Sequence, residues 1–246
     1  MKTRTISERD RVLKEVRAAL EREPRINVHK FPIEMEFQEG VLTLEGDVEH
    51  IAAKKLGLEL AIAVQGVVGI ADRLHVVPAS RMGDGAILDA VRDALLQEST
   101  LLNCSIYILR KGRFEPVREV ADEPRGAIRV SVSDGIVLLD DHVIGLTQKR
   151  LAGVLAWWVP GSRDVINGME VVPDQPDSDE AMAKAVRIVL KKDPFVNADR
   201  IRVAAQRSIV TLEGDVPSAP QRDMAEFDAW YVFGVDKVIN RLEIRP

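Results

Sequence analysis

The residues that could carry out chemistry are few and scattered along the 246-residue chain, which has four histidines and a single cysteine, Cys104. A zinc site needs histidine or cysteine ligands at short, regular spacing. None of His29, His50, His75 and His142 stands at such a spacing from another ligand. The chain also has no Gly-x-Ser-x-Gly motif and no glycine-rich phosphate loop. We therefore predict no metal site, no cofactor and no enzymatic activity.

Two Gly-Asp pairs, Gly46-Asp47 and Gly214-Asp215, place a carboxylate beside a conformationally free residue. Glycine permits a bend from a strand into a helix, and aspartate suits the N-cap of the helix that follows. Carboxylate and carbonyl oxygens at such a corner are also suitable ligands for a cation. We favour helix capping and keep a cation site as the alternative.

Trp157 and Trp158 are distinctive in a chain with only three tryptophans, two tyrosines and six phenylalanines. Neighbouring side chains of a helix point about 100° apart, so the two rings cannot share one face. Leu151, Val154, Leu155 and Trp158 have the spacing of an apolar helix stripe, which places Trp158 in the core. Trp157 then points away from the core and is a candidate for contact with another group. We favour its packing against another part of the protein over a ligand or membrane contact.

The elements that must position these residues come from internal repetition, which is the strongest signal in the sequence. The string LEGDV at 44–48 recurs at 212–216, and LDDHV at 139–143 is a degraded third copy. Thirty residues after the final valine of each string stands a proline, at positions 78, 173 and 246. We predict three repeats: repeat 1 at 1–78, repeat 2 at 84–173 and repeat 3 at 178–246.

Each repeat has the same predicted order of elements. Apolar residues four apart, such as Val12, Val16 and Leu20, predict a first amphipathic helix. A hairpin follows, with Glu39-Gly40 or Asp134-Gly135 at its turn. In repeat 3 the turn is Arg207-Ser208, so we expect strain there or a different turn. A second helix and a last strand complete the unit, with Gly66, Gly161 and Gly234 predicted as left-handed residues at the end of that helix.

This order predicts an α+β fold of three tandem αββαβ units. The strand–helix–strand crossover makes the last strand parallel to its predecessor. Each unit becomes a three-stranded mixed sheet with two helices on one face. Because a core of about 70 residues is small, we expect the units to pack on each other.

Repeat 2 carries about 20 extra residues between its first helix and its central strands, near 104–126. Two apolar segments around Lys111-Gly112 predict an added hairpin. Pro116 confines its second strand to a sheet edge. The hairpin either covers a sheet edge or meets a partner, so Tyr107 and Phe114 join Trp157 as candidate contacts for a ligand or partner.

The repeated residues resemble the BON (bacterial OsmY and nodulation) domain. The likeness lies in a Val-x-Leu-x-Gly-x-Val strand and a later Gly-Val-x-x-Val-x-Asn-x-Leu-x-Val segment. In repeat 3 these are Val210, Leu212, Gly214, Val216, Gly234, Val235, Val238, Asn240, Leu242 and Ile244. Repeat 1 keeps the pattern with Asp72 at the asparagine position, and repeat 2 has Asp141 in place of the strand glycine.

The resemblance implies a non-catalytic binding or adaptor module of a bacterial, transport-associated family linked to osmotic stress. Its ligand would be a phospholipid, a hydrophobic small molecule or a partner protein. Intracellular members of the family suggest an alternative, the binding or sensing of potassium.

Composition narrows the class of partner. The net charge of −5 argues against nonspecific binding to nucleic acid. No stretch has the roughly 18 apolar residues of a spanning helix, and the charged N-terminal segment has no secretory signal. We expect a cytoplasmic protein.

Overall fold

The computed structural model describes residues 7–121 and 125–245. The chain divides into two compact units, Met1–Val77 and Pro78–Pro246. The first unit holds repeat 1, and the second holds repeats 2 and 3. The predicted α+β class of repeated αββαβ units is confirmed.

Repeat 1 follows the predicted order. Its elements are α1 (Glu8–Arg22), β1 (Glu34–Gln38), β2 (Val41–Val48), α2 (Ile51–Ile62) and β3 (Gly69–Val76). Strand β2 lies in the centre of the sheet, antiparallel to β1 and parallel to β3. The stripe of α1 (Val12, Val16, Leu20) is buried, as are Leu42, Leu44 and Leu74 of the strands.

Repeat 2 has the same plan with additional strands. Its elements are α3 (Asp84–Gln97), β4 (Ser105–Arg110), β5 (Arg113–Arg118), β6 (Gly126–Ser133), β7 (Ile136–Val143), α4 (Leu146–Trp157), β8 (Asp164–Asn167) and β9 (Glu170–Val171). The insertion forms the predicted hairpin, β4–β5. Strand β4 pairs in parallel with β6, which extends the sheet to six strands and leaves β5, with Pro116, at its edge.

Repeat 3 comprises α5 (Asp179–Lys192), β10 (Ile201–Gln206), β11 (Ile209–Val216), α6 (Ala219–Tyr231) and β12 (Lys237–Ile244). Its three strands pair as those of repeat 1 do. Within the second unit, α4 of repeat 2 packs against both α5 and α6 of repeat 3. We call this contact the inter-repeat joint.

The hairpin turn of repeat 3 is strained, as its sequence suggested. Arg207 and Ser208 have φ of 49° and 62°, close to the 50° and 83° of Glu39 and Gly40 in repeat 1. The two-residue turn requires positive φ at both positions because that geometry follows the twist of the strands. Repeat 3 therefore keeps the turn without its glycine.

Two local predictions were wrong. Gly46 and Asp47 lie within β2, and α2 begins later, with His50 as the N-cap whose Nδ1 accepts the Ala53 amide at 3.1 Å. Asp47 therefore does not cap the helix. Gly161 does not adopt the left-handed conformation of Gly66 and Gly234. Glycine is needed at 161 for space, because a Cβ there would lie 2.6 Å from Met82 Cβ and 2.8 Å from Ile87 Cγ1.

Candidate functional site

Both helices of repeat 2, α3 and α4, pack on the same side of its sheet. Along β4, Ile106 and Ile108 point into the core beneath α3 and α4, so the alternate residues Tyr107 and Leu109 lie on the opposite side. Strand pairing places Pro116 beside Tyr107 and Phe114 beside Leu109. The structure therefore brings the predicted contact residues Tyr107 and Phe114 together on this side.

The same side continues across the other strands. Leu138 of β7 pairs with Ile166 of β8. Leu138 lies between the buried Val137 and Leu139, and Ile166 follows Val165, which is half-buried and packs against the core. Phe114, Leu138 and Ile166 are 45%, 38% and 51% exposed. We call this surface the outer sheet face and define it by Tyr107, Leu109, Phe114, Leu138 and Ile166.

Arg129 is a cation on the outer sheet face, and it has two contacts there. The guanidinium of Arg129 lies 5.5 Å from the centre of the Phe114 ring, a cation–π geometry. Its Nε is 3.2 Å from Asp141 Oδ2. The cation of this face, Arg129, therefore contacts both an aromatic ring and a carboxylate.

Trp157, the third predicted contact residue, lies on the other side of the sheet, in the inter-repeat joint. Its ring stacks on Tyr231 of α6, with centroids 5.4 Å apart and planes at 22°. This is the packing against another part of the protein that the sequence favoured. Trp158 is half-buried rather than enclosed in the core, and its Nε1 donates to Asp228 Oδ1 at 2.9 Å.

The inter-repeat joint also contains a buried arginine. Arg150 of α4 is 1% exposed, and its Nε donates to the carbonyl oxygen of Phe233 at 3.0 Å. Its second guanidinium nitrogen pairs with Asp177, just ahead of α5. Lys149, the preceding residue, lies 4.1 Å from the centre of the Phe233 ring. Lys149 and Arg150, which are adjacent on α4, therefore both contact Phe233 at the end of α6.

Two acidic residues are buried at the centre of the inter-repeat joint. Asp228 of α6 is 2% exposed and Asp193, at the end of α5, is 8% exposed. Asp193 Oδ1 accepts the amide of Phe195 at 2.8 Å. Burial, and then the neighbouring Asp193, raises the pKa of Asp228 to about 8, against the opposing effect of the Trp158 hydrogen bond. Asp228 therefore holds its proton to a higher pH than a solvent-exposed aspartic acid does.

The sequence profile of the BON domain matches three segments, 9–78, 118–173 and 178–246, which together make up most of the chain. The chain belongs to the BON domain family. The three matches agree with the three repeats found in the sequence and the fold. The second match begins within the added hairpin, so α3 and β4 of repeat 2 lie outside it.

Solved structures add little to this assignment. Two of them are of CdsD, a structural protein of the type III secretion system of Chlamydia trachomatis. Its C-terminal domain is 14% identical over 96% of this chain and 98% of that one, with a TM-score of 0.25. The second structure is 16% identical over 96% and 93%, also with a TM-score of 0.25. No curated protein matches the sequence.

The asparagine of the BON pattern has a structural task in this chain. In repeat 3, Asn240 Nδ2 donates to the carbonyl of Arg222 on α6 at 3.1 Å. Asn167 Nδ2 does the same to Lys149 of α4 at 2.8 Å. In repeat 1 an ion pair takes over the contact, since Lys54 Nζ lies 3.0 Å from Asp72 Oδ2. These polar residues therefore fasten the last strand to the second helix of each BON repeat.

Two further reactive side chains, Cys104 and Asp215, are engaged by their surroundings in the structure. Cys104 is fully buried, and burial raises the pKa of its thiol, which disfavours the nucleophilic thiolate. Asp215, a candidate cation ligand, pairs with Arg200. Within 7–121 and 125–245, no three His, Cys, Asp or Glu side chains are grouped for a metal. Among those same residues, no helix has the length and apolar character to cross a membrane.

Sequence reasoning missed Asp228, although alignment of the repeats contains a signal for it. With the repeated strings in register, Asp228 occupies the position of Leu60 in repeat 1 and Leu155 in repeat 2. An aspartate in an apolar helix stripe is unusual, because burying a charge without a partner is costly. Arg150 gives no such signal, since Lys55 and Asp223 at its equivalent positions are also charged.

Proposed function

We propose that the chain is a non-catalytic adaptor that binds a partner protein through the outer sheet face of repeat 2. The observation that carries the proposal is the exposure of Phe114, Leu138 and Ile166 on one side of one sheet. Soluble proteins rarely leave large apolar side chains grouped in water unless they serve an interaction. The added hairpin widens this side of the sheet, and repeats 1 and 3 lack that extension.

A partner protein fits the outer sheet face better than a phospholipid or a small ligand. Small apolar ligands bind in concave sites that enclose most of their surface, whereas a sheet face is broad and open. An anionic headgroup favours unpaired cations, whereas Arg129, the cation beside Phe114, has an acidic partner. The potassium alternative has less support, because Asp215 already contacts Arg200.

The test compares two pairs of surface substitutions in the full chain. Phe114→Ser with Leu138→Ser removes an aromatic and an aliphatic side chain from the outer sheet face. Phe195→Ser with Val68→Ser is the matched control, since these residues are 68% and 79% exposed elsewhere. Proteins captured from the source cells are quantified by mass spectrometry. The strongest is then purified, and its binding is measured by calorimetry.

We expect the purified partner to bind the wild type and the control equally, and to bind the outer-face variant at least tenfold more weakly. Equal binding by all three proteins would refute the proposed surface. Sedimentation with phosphatidylglycerol and phosphatidylcholine vesicles forms a second arm. If the wild type sediments with vesicles and the outer-face variant does not, the ligand of this face is lipid and the proposal of a protein partner is wrong.

A further inference from the structure

Asp228 is an acidic residue at a position of the repeat where an apolar side chain is sufficient for packing. One carboxyl oxygen, Oδ1, accepts the hydrogen bond from Trp158 across the inter-repeat joint. The other, Oδ2, is buried and accepts no hydrogen bond from a donor among the described residues, and the carboxyl of Asp193 is the acidic neighbour of this side chain. The equivalent positions carry Leu60 and Leu155, so the fold of the repeat does not need a carboxyl there.

We propose that Asp228 is a proton-dependent latch between repeats 2 and 3: its protonated carboxyl holds α6 against α4, and transfer of that proton to water loosens the inter-repeat joint. The step leaves a carboxylate and a hydronium ion and needs no other reactant. The proposal does not depend on the outer sheet face or on its partner.

The physical reason is the surroundings of the carboxyl. A protonated acid is a hydrogen-bond donor through one oxygen and an acceptor through the other. In that form Asp228 can accept from Trp158 and direct its proton toward Asp193. In the ionised form two buried carboxylates would repel each other where little water can screen them.

The cations around Asp228 already have other contacts. Elements packed about the inter-repeat joint carry Lys149 and Arg150 on α4, Lys192 and Asp193 at the end of α5, Glu226 and Tyr231 on α6, and Glu98 after α3. Lys192 pairs with Glu98 at 2.8 Å, Arg150 with Asp177, and Lys149 lies over the Phe233 ring. The interactions that set the pKa of Asp228 include no cation.

The direction of the pH effect follows from linkage. The pKa of Asp228 rises from 3.8 to about 8 on folding, so the closed joint holds a proton that the open, solvated carboxyl has lost. The opening equilibrium should therefore increase about tenfold per pH unit between those values and level off above pH 8. The joint is closed in mildly acidic solution and loosens as the pH rises through neutrality.

The experiment measures solvent exchange of the tryptophan indole N–H groups by NMR in the full chain from pH 6 to pH 9. Trp230, a buried residue whose indole N–H donates to Glu226 of its own helix at 3.3 Å, is the internal reference that removes the general pH dependence of exchange. We expect the exchange rate of Trp158 relative to Trp230 to rise between tenfold and a hundredfold from pH 6 to pH 8. Asp228→Asn keeps the shape of the side chain and should abolish the rise.

Asp223→Asn is the matched control, because Asp223 is a half-exposed acid on the same helix whose carboxylate pairs with Arg222. It should behave as the wild type does. Identical pH profiles of the wild type and Asp228→Asn would overturn the proposal. If Asp228→Asn does not fold, Asp193→Asn replaces it. Removal of the second carboxyl should move the midpoint of the Trp158 exchange profile to lower pH. An unchanged midpoint would refute the role given to Asp193.

A bound cation could also neutralise two neighbouring carboxylates, and the same measurement separates that case. At pH 9 the exchange rate of Trp158 relative to Trp230 is measured in potassium chloride and in choline chloride at equal ionic strength. Equal ratios support the proton latch. Protection of Trp158 restored by potassium alone would show that an ion, and not a proton, closes the joint.

Discussion

Arg150 gives the sharpest test of how repeats 2 and 3 are held together. Arg150→Met keeps most of the volume and the apolar stem of the side chain but removes its guanidinium from the inter-repeat joint. Phe233 then loses a charged donor at 3.0 Å, and Asp177 loses its ion-pair partner. Methionine carries no charge of its own, so a loss of stability reports on the Phe233 hydrogen bond and on the unpaired Asp177 carboxylate.

The expected magnitude follows from the exposure of each partner. A hydrogen bond from a charged donor contributes about 1.5–3 kcal/mol. The Asp177 side chain is 42% exposed, so water can resolvate its carboxylate and the ion pair adds only about 0.2–1 kcal/mol. We therefore expect Arg150→Met to lower the free energy of unfolding by about 3 kcal/mol.

Urea unfolding followed by tryptophan fluorescence isolates this effect, because all three tryptophans lie in the unit Pro78–Pro246. Arg92→Met is the control, since Arg92 pairs with the neighbouring acids Asp89 and Asp93 on its own helix. Its cost should stay within about 0.5 kcal/mol. A loss below about 1 kcal/mol for Arg150→Met would refute the view that this arginine fastens the two repeats.

Four further predictions concern the fold. Ser208→Gly should stabilise the chain by about 1 kcal/mol, because it relieves a left-handed non-glycine residue; a lower urea midpoint by circular dichroism would contradict this. Gly161→Ala should cost about 1–3 kcal/mol through its contact with Ile87, and an unchanged melting temperature would show that the site can relax. Leu74→Ala, at a fully buried residue, should cost about 2–5 kcal/mol, and a loss below about 0.5 kcal/mol would count against its place in the core. Amides of Ile106–Leu109 should exchange as slowly as those of β6, because β4 is paired on both sides; exchange at the rate of a free loop would exclude this pairing.

The fold was predictable from the sequence because the repeated signals are local. The four-residue spacing of Val12, Val16 and Leu20 identifies a helix face, and the Val-x-Leu-x-Gly-x-Val alternation at 210–216 identifies a strand, without knowledge of distant residues. The hairpin of repeat 2 was predictable for the same reason. Its turn and its two apolar segments are adjacent in the chain.

The two wrong local predictions, for Gly161 and Asp47, concern residue types that have two structural uses. Glycine serves either for a positive φ or for close packing, and only the structure shows that Ile87 lies against Gly161. Aspartate after a strand suggests an N-cap, but the strand continues through Asp47 and His50 takes that place. The local sequence is compatible with either outcome, and the register of β2 against β3 decides it.

For the candidate sites, the sequence identified unusual residues, and the tertiary structure decided what surrounds them. The sequence alone determined that there are three BON repeats, that repeat 2 carries an extra hairpin, and that Trp157, Tyr107 and Phe114 are unusual. Only the tertiary structure placed Tyr107 and Phe114 on an open sheet face and Trp157 against Tyr231, because strand pairing and helix packing join residues far apart in the chain. The pKa of Asp228 is likewise a tertiary property, since burial and the approach of Asp193 arise only when α4, α5 and α6 pack together.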